Sequence, residues 1–335
     1  MSDRKLKNAL VIGGTGIIGK PTVMQLIKNN EYNVYSIALE KTDFSSNVKQ
    51  HIADRTIGEY KNLIQKLNSE VGLWDVVVDV VAFDAESAEI THSLFKNCSE
   101  HIITLSTTLV YDRTTESTDP ISENTPLAPE GHFGGYVDGK VKLEKFWQST
   151  TDVNWTLIRP YHILGAESLL GCIPEHNRDP KLIEKIKNGE ILRLCNGGSI
   201  FLNCIHPKDI AGAIYKIIGN PNTFKQAYNL VNPKPVLAKD YYAEIAKQVG
   251  GISNIEAVSM DQIWQEKKGW EMTTLPHVYS MQKMEKDVGF VPNIKLEEGI
   301  CDAIENPPKV TSAVDIPVHQ RMNKLPSPKR PNWLK

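Results

Sequence analysis

Apolar and polar positions follow two rhythms along the chain, and the switches between them lay out its elements. Ala9 to Ile12 is a continuous apolar run of strand type; a glycine-rich turn follows, and then Val23, Leu26 and Ile27 at helical spacing. Asn33 to Leu39 (NVYSIAL) predicts a second strand, His51 to Asp54 a short third ending in an acid, and Trp74 to Val81 (WDVVVDVV) a strongly β-branched fourth. His101 to Leu105 (HIITL) is a fifth and Asn154 to Ile158 (NWTLI) a sixth, with helical stretches between them. Such alternation implies an α/β fold built on a doubly wound parallel sheet. Beyond Gly165 the pattern turns irregular, with Pro174, Pro180, Gly197 and Gly198, until His206 to Gly219 resumes a helix. The expected organisation is a Rossmann-type domain over 1–165 and about 206–231, a smaller C-terminal substrate lobe over about 166–205 and 232–305, and an extended Pro- and Lys-rich tail over 306–335.

Composition changes this picture little. The 335 residues are enough for a large core, and 41% hydrophobic with 23% charged residues is ordinary for a soluble globular enzyme. A formal charge of −2 supplies no general attraction to nucleic acid or anionic membrane. With no amino-terminal positive, apolar, small-residue series and no apolar run of membrane-spanning length, a cytoplasmic location is the default expectation. Cys98, Cys172, Cys195, Cys204 and Cys301 are odd in number, lack paired metal or redox spacing, and read as reduced packing thiols. No His, Cys or carboxylate cluster has metal spacing.

Chemistry enters with the run ALVIGGTGIIG at 9–19. Glycines at 13, 14, 16 and 19, between a strand and a helix, suit a tight turn, close backbone approach to a pyrophosphate and close helix packing. The anion would then rest on the exposed N–H groups of the helix. The cofactor-binding turn expected here comprises Gly13, Thr15, Gly16, Ile17, Ile18 and Gly19. A second constellation is Ser106, Thr107, Tyr136 and Lys140. Thr107 follows the fifth strand, where the carboxyl end of a parallel sheet opens to ligand, and Tyr136 and Lys140 share one helix face. An ammonium beside a phenol favours the phenolate, and a hydroxyl such as Thr107 can hold a substrate oxygen in line for hydride transfer. The same Tyr-to-Lys spacing recurs at Tyr279 and Lys283, which read as a surface helix pair.

These motifs resemble the extended short-chain dehydrogenase/reductases, the NAD-dependent epimerase/dehydratase family, over about residues 6–305. The resemblance rests on GGTGIIG at 13–19, STTLVY at 106–111, Tyr136 with Lys140 and Glu144, RPYHILG at 159–165 and HPKDIAGAI at 206–214. It implies that Tyr136 is the catalytic acid/base and that Lys140 holds the nicotinamide ribose and lowers the tyrosine pKa. It further implies that Thr107 polarises the substrate with Ser106 beside it, and that Asp54 contacts the adenine; the alternative for Asp54 is an ordinary turn residue. A homodimer paired through the helix of Tyr136 is also implied.

Departures from the family pattern narrow the function. Family dehydratases carry an Asp-Glu pair after the catalytic hydroxyl, where this chain has Thr108 and Leu109, so a 4,6-dehydratase is not expected. Sugar-nucleotide epimerases usually have an arginine seven residues before the acid matching Asp209; Leu202 stands there and cannot pair with phosphate. Arg178 or Arg193 could substitute, with a solvated surface role as the alternative for each. VNWTLIRP and HPKD are also similar to the chloroplast stem-loop RNA-binding branch of the family. That branch tends to lack the tyrosine, and the basic residues Lys324, Lys329, Arg330 and Lys335 cluster in the tail, so nucleic acid is not the expected partner. A non-catalytic NAD(P)-binding regulator is the third alternative, opposed by the intact Tyr136 and Lys140.

Glu40 lies about twenty residues past Gly19, where an acid accepts from a ribose 2′-OH and repels a 2′-phosphate, which favours NAD over NADP. His162, at the mouth of the sixth strand, is a candidate substrate contact or else a structural hydrogen-bonding group, and His132, four residues before Tyr136, reads as a loop residue rather than a proton relay. The expectation is therefore an NAD(P)-dependent oxidoreductase or epimerase acting at a secondary alcohol or ketone of a sugar-like or small polar metabolite.

Overall fold

The computed structural model describes residues 6–113, 120–131, 135–171, 179–266, 271–275 and 278–308. The tail beyond 308, His132, Cys172 and Arg178 lie outside them.

The first half runs β1 (Lys7–Ile12), α1 (Gly19–Ile27), β2 (Tyr32–Ala38), β3 (Val48–Ile52), α2 (Glu59–Val71), β4 (Val76–Asp79), α3 (Ala85–Phe95), β5 (Ile102–Leu105), α4 (Gly135–Ser149) and β6 (Trp155–Pro160). It continues through α5 (Leu182–Lys187), β7 (Ile191–Cys195), β8 (Phe201–Leu202), α6 (Pro207–Ile217), β9 (Gln226–Leu230) and β10 (Val236–Leu237). The last elements are α7 (Ala238–Val249), β11 (Asn254–Val258), α8 (Met260–Glu266), α9 (Gln282–Val288) and α10 (Leu296–Glu305). Among the described residues, a seven-stranded sheet has the order β3-β2-β1-β4-β5-β6-β9, with every neighbouring pair parallel. Strand order reverses at β1, so the ends of β1 and β4 border the crevice in which such sheets bind ligands.

The apolar runs are continuous because both faces of the sheet are covered. In β1, Ala9 and Val11 face one core with Val23 and Leu26 of α1 and Ile210 and Ile214 of α6. Leu10 and Ile12 face the other, with Tyr60 and Ile64 of α2, Phe95 of α3 and Trp147 of α4. A third core joins Leu182, Ile186, Leu192, Leu202, Tyr241, Ile245 and Ile300, all outside the large sheet.

Strand boundaries differ from expectation where polarity misled. The third strand is Val48–Ile52 rather than 51–54, because Asp54 already turns the chain. The fourth ends at Asp79, and the seventh, Gln226–Leu230, was hidden by Gln226, Tyr228 and Asn229. The irregular stretch after Gly165 contains α5, β7 and β8.

His101, fully buried before β5, is fixed as the neutral tautomer: Nδ1 accepts from the Gly219 N–H at 3.3 Å, and Nε2 lies 2.8 Å from Thr156 Oγ1. Burial lowers its pKa to about 4. Its contribution to stability is present above the unfolded value near 6.5 and is lost as pH falls toward 4, a loss of about 3 kcal/mol at ~1.4 kcal/mol per unit. Urea midpoints at pH 7 and pH 4 should show wild type losing that much more than His101→Gln.

Candidate active site

The turn after β1 is shaped by two glycine requirements of different origin. Gly13 has φ +87°, and a Cβ there would lie 2.6 Å from Val81 Cγ1 and 2.7 Å from Val80 Cγ2, so only glycine passes over the end of β4. Its N–H and that of Gly14 both donate to Ile37 O, at 2.7 and 3.2 Å, folding the chain across the end of β2. At Gly16 the nearest atom to a Cβ would be Gly13 O at 3.5 Å, so the protein's own packing does not demand glycine there. The missing side chain leaves space before α1, whose first turn has no acid and no side-chain cap. Exposed Gly16, with half-buried Thr15, Ile17 and Ile18, therefore fits a pyrophosphate resting on helix amides.

Glu40 lies two residues beyond β2, exposed, with its carboxylate clear of any hydrogen bond or ion pair among the described residues. Asp54, half-buried, accepts from Thr56 N–H at 2.8 Å and Thr56 Oγ1 at 2.7 Å, the side-chain-closed turn that was its alternative role. Nearby strand ends expose large apolar groups, Leu39 at 66%, Ile52 at 60% and Ile57 at 55%. Exposed apolar side chains around two carboxylates suit a flat heterocycle with hydrogen-bonding edges.

Lys140 and Tyr136 meet at the ends of β4 and β5, and Thr107 follows β5 by two residues. Thr107 leaves β5 in an extended conformation and caps the short 3-10 turn Thr108–Val110, its Oγ1 accepting from Leu109 N–H at 3.3 Å. Lys140, 2% exposed, extends from α4 to donate to Ala82 O and Leu105 O, both at 2.6 Å. Its Nζ lies 5.9 Å from the centre of the Tyr136 ring and 5.0 Å from that of Phe83. Burial pulls the amine down to about 7, against the opposing pull of Asp79 and Glu144. Tyr136 is half-buried, tilted against Phe83 with ring centres 6.3 Å apart. His162 follows β6 with its Nε2 buried and without a hydrogen-bond partner.

Ser106, expected beside the substrate oxygen, instead turns away and donates to Glu144 at 2.5 Å. Glu144 is fully buried and paired with buried Arg159, whose Nε donates to Oε1 at 2.8 Å and whose Nη2 donates to Oε2. Arg159 also donates to Tyr111 Oη at 2.8 Å, and Tyr111 donates to Asn229 Oδ1 at 2.5 Å. A second buried pair was not anticipated: Asp79, at the end of β4, is gripped by Arg55 at 3.0 Å through each oxygen and accepts from Thr91 Oγ1 at 2.6 Å. An acid inside the β-branched run 74–81 was the available signal, since a carboxylate buried there requires a cationic partner.

Two further expectations need correction. Tyr279 and Lys283 are not a surface helix pair: Tyr279 precedes α9, is 4% exposed and packs on Tyr111 and Tyr161, while Lys283 donates to Ala227 O. The tyrosine is held by buried Arg113, which donates to its hydroxyl and lies over its ring. Arg193 is not a solvated group either, since both terminal nitrogens donate to Glu266, at 3.3 and 2.7 Å. Leu202 is fully buried in the third core. Among the described residues no group of three or more His, Cys, Asp or Glu could hold a metal ion, and no helix is long and apolar enough to cross a membrane.

The parallel sheet, its glycine turn and the Thr-Tyr-Lys cluster at the strand ends define a Rossmann-type fold of the short-chain dehydrogenase/reductase class. The sequence pattern of the NAD dependent epimerase/dehydratase family matches residues 9–230, and the chain belongs to that family. It is 27% identical over 316 residues to the chloroplast stem-loop binding protein of 41 kDa b of Arabidopsis thaliana, covering 89% of this chain and 78% of that protein. Similar solved structures include dTDP-glucose 4,6-dehydratase from Bacillus anthracis in complex with NAD (TM-score 0.69, 17% identity, 90% of this chain and 97% of that one). Another is UDP-glucuronic acid 4-epimerase from Bacillus cereus in complex with UDP-glucuronic acid and NAD (TM-score 0.67, 15% identity, 89% and 98%). At these identities the structural likeness shows the fold.

Proposed function

We propose that the protein is an NAD(P)-dependent oxidoreductase or epimerase acting at a secondary alcohol or ketone of a sugar-like or other small polar metabolite. The observation that carries this is Lys140 bonded to the backbone beyond β4 and at the end of β5 and lying 5.9 Å from the centre of the Tyr136 ring, with Thr107 two residues past the end of β5 and a glycine turn that leaves the start of α1 open. Gly13, Thr15, Gly16, Ile17, Ile18 and Gly19 would hold a pyrophosphate, Glu40 a ribose, Asp54 an adenine edge and Lys140 the second ribose. A bound nicotinamide supplies the hydride acceptor or donor. Tyr136 exchanges the proton of the substrate hydroxyl, Thr107 orients that oxygen, and His162, whose buried Nε2 has no hydrogen-bond partner, would meet another polar group of the substrate. The Lys140 charge favours the Tyr136 phenolate, and with its amine near 7 that charge is fullest on the acid side of neutrality. Thr108 and Leu109, where dehydratases have acids, favour oxidation or epimerisation over water elimination. A homodimer through α4 belongs to the same proposal and is read by light scattering.

Calorimetric titration with NAD and NADP tests the cofactor, with saturable NAD binding expected. Glu40→Arg should move the NADP-to-NAD preference by tenfold or more, the worth of one charge-assisted hydrogen bond at about 1.5–3 kcal/mol. Absence of binding to either dinucleotide would defeat the enzyme reading. The relation to the stem-loop binding protein favours RNA as the second reading, tested by gel shift with a stem-loop RNA over a salt series.

A further inference from the structure

The segment that follows β2 is held by one side chain. Gln50, in β3, offers both ends of its amide to Thr42: Oε1 accepts from the Thr42 N–H and Nε2 donates to Thr42 O, each at 3.0 Å. Beyond this clamp the chain is anchored again, since Phe44 lies buried in the first core and its N–H donates to Thr42 O at 2.9 Å. Before it, Ala38 ends β2, and its carbonyl accepts from the Ala53 N–H at 3.0 Å. Leu39, Glu40 and Lys41 thus form an arch between two fixed points. All three are exposed, and among the described residues the arch makes no hydrogen bond of its own. Its conformation is set from Gln50.

The clamp borders the cofactor crevice. Gln50 pairs in register with Ser36 of β2, and a Cβ at Gly14 would run into Ser36 Oγ, so the amide lies one strand away from the glycine turn. Glu40 and Lys41 are neighbours of opposite charge: an acid suits a ribose 2′-OH, and a cation suits a 2′-phosphate. Which of the two meets the ribose is decided by the conformation of the arch. We propose that Gln50 is a positioning residue for cofactor choice, holding the arch so that Glu40 is presented to an adenosine ribose and Lys41 is kept from its 2′-phosphate. This rests on the NAD(P) reading above and on Glu40 as the ribose acid. An amide suits the task because it supplies an acceptor and a donor together, and so fixes both polar groups of one backbone residue. Phe44 already supplies the burial that ties the segment to the core, and the clamp acts on the exposed residues before it.

Calorimetric titration of wild type, Gln50→Leu, Lys41→Met and the double variant with NAD and with NADP tests this. Gln50→Leu should narrow the preference for NAD by about fivefold or more, the order of one hydrogen bond, chiefly through tighter NADP binding. Lys41→Met should leave both affinities within about threefold while Gln50 is present, as a screened distant charge would, and should abolish the NADP gain in the Gln50→Leu background. An unchanged preference in Gln50→Leu, equal weakening toward both dinucleotides, or a Lys41→Met variant that costs NADP as much with Gln50 as without it would each overturn the proposal. Should circular dichroism show Gln50→Leu unfolded, Lys41→Met alone decides: a large loss of NADP affinity would put Lys41 at the phosphate with the clamp intact and overturn the proposal. No saturable binding of either dinucleotide by wild type would defeat the cofactor reading and the proposal with it, whereas NAD binding with a preference that Gln50→Leu does not move would defeat the proposal alone.

Discussion

Tyr136→Phe is expected to lower turnover by about 10²–10⁴-fold while dinucleotide affinity stays at the wild-type level, the range found when a positioned acid/base is removed. The substitution deletes one oxygen from a half-buried ring. Packing against Phe83 and the cluster of Leu109, Val110 and Val141 is kept. Lys140 keeps its bonds to Ala82 O and Leu105 O, and the glycine turn is untouched. A loss confined to kcat, with binding measured by calorimetry and unfolding by circular dichroism, assigns proton transfer to this phenol. Unchanged turnover would move that role to another group.

Glu144→Gln is expected to lower unfolding free energy by about 3–5 kcal/mol, the effect of removing one partner of a buried ion pair. Arg159 would keep its charge at 2% exposure with no carboxylate to meet it, and Ser106 would lose its acceptor. The disturbance would pass through Arg159 to Tyr111 and Asn229, which tie β6 and β9 to the segment after β5. Urea unfolding measures it. Replacing both partners, Glu144→Leu with Arg159→Leu, should recover part of the loss because no charge is then stranded.

The sheet was legible because its strands announce themselves: a parallel strand covered on both sides is predominantly apolar, throughout in 9–12 and 76–78 and with Thr104 as the one polar residue in 102–105. Strand β9 was not, because Gln226, Tyr228 and Asn229 satisfy their polar groups through distant partners such as Asp287 and Tyr111. Gly13, Thr107, Tyr136 and Lys140 could be singled out from spacing together with position among the strands, since each lies at a strand end or along one helix face, whereas the Tyr-to-Lys spacing alone also picked Tyr279 and Lys283. The partners of Ser106 and Asp79 could not. Glu144 lies 38 residues from Ser106, and Arg55 lies 24 from Asp79, and only the packed fold brings each pair within reach. Tyr279 misled for the same reason, its burial being set by Tyr111 and Tyr161 far away in the chain.

The buried Lys140 amine acts as a clasp. One side chain on α4 fastens the backbone beyond β4 and the end of β5, holding the helix turn that carries Tyr136 in register with both. Removing it strands two carbonyls and unties the helix before any proton chemistry is affected. A Lys140→Met variant would therefore be a structural lesion first, and its lost activity would report misplacement and missing charge together.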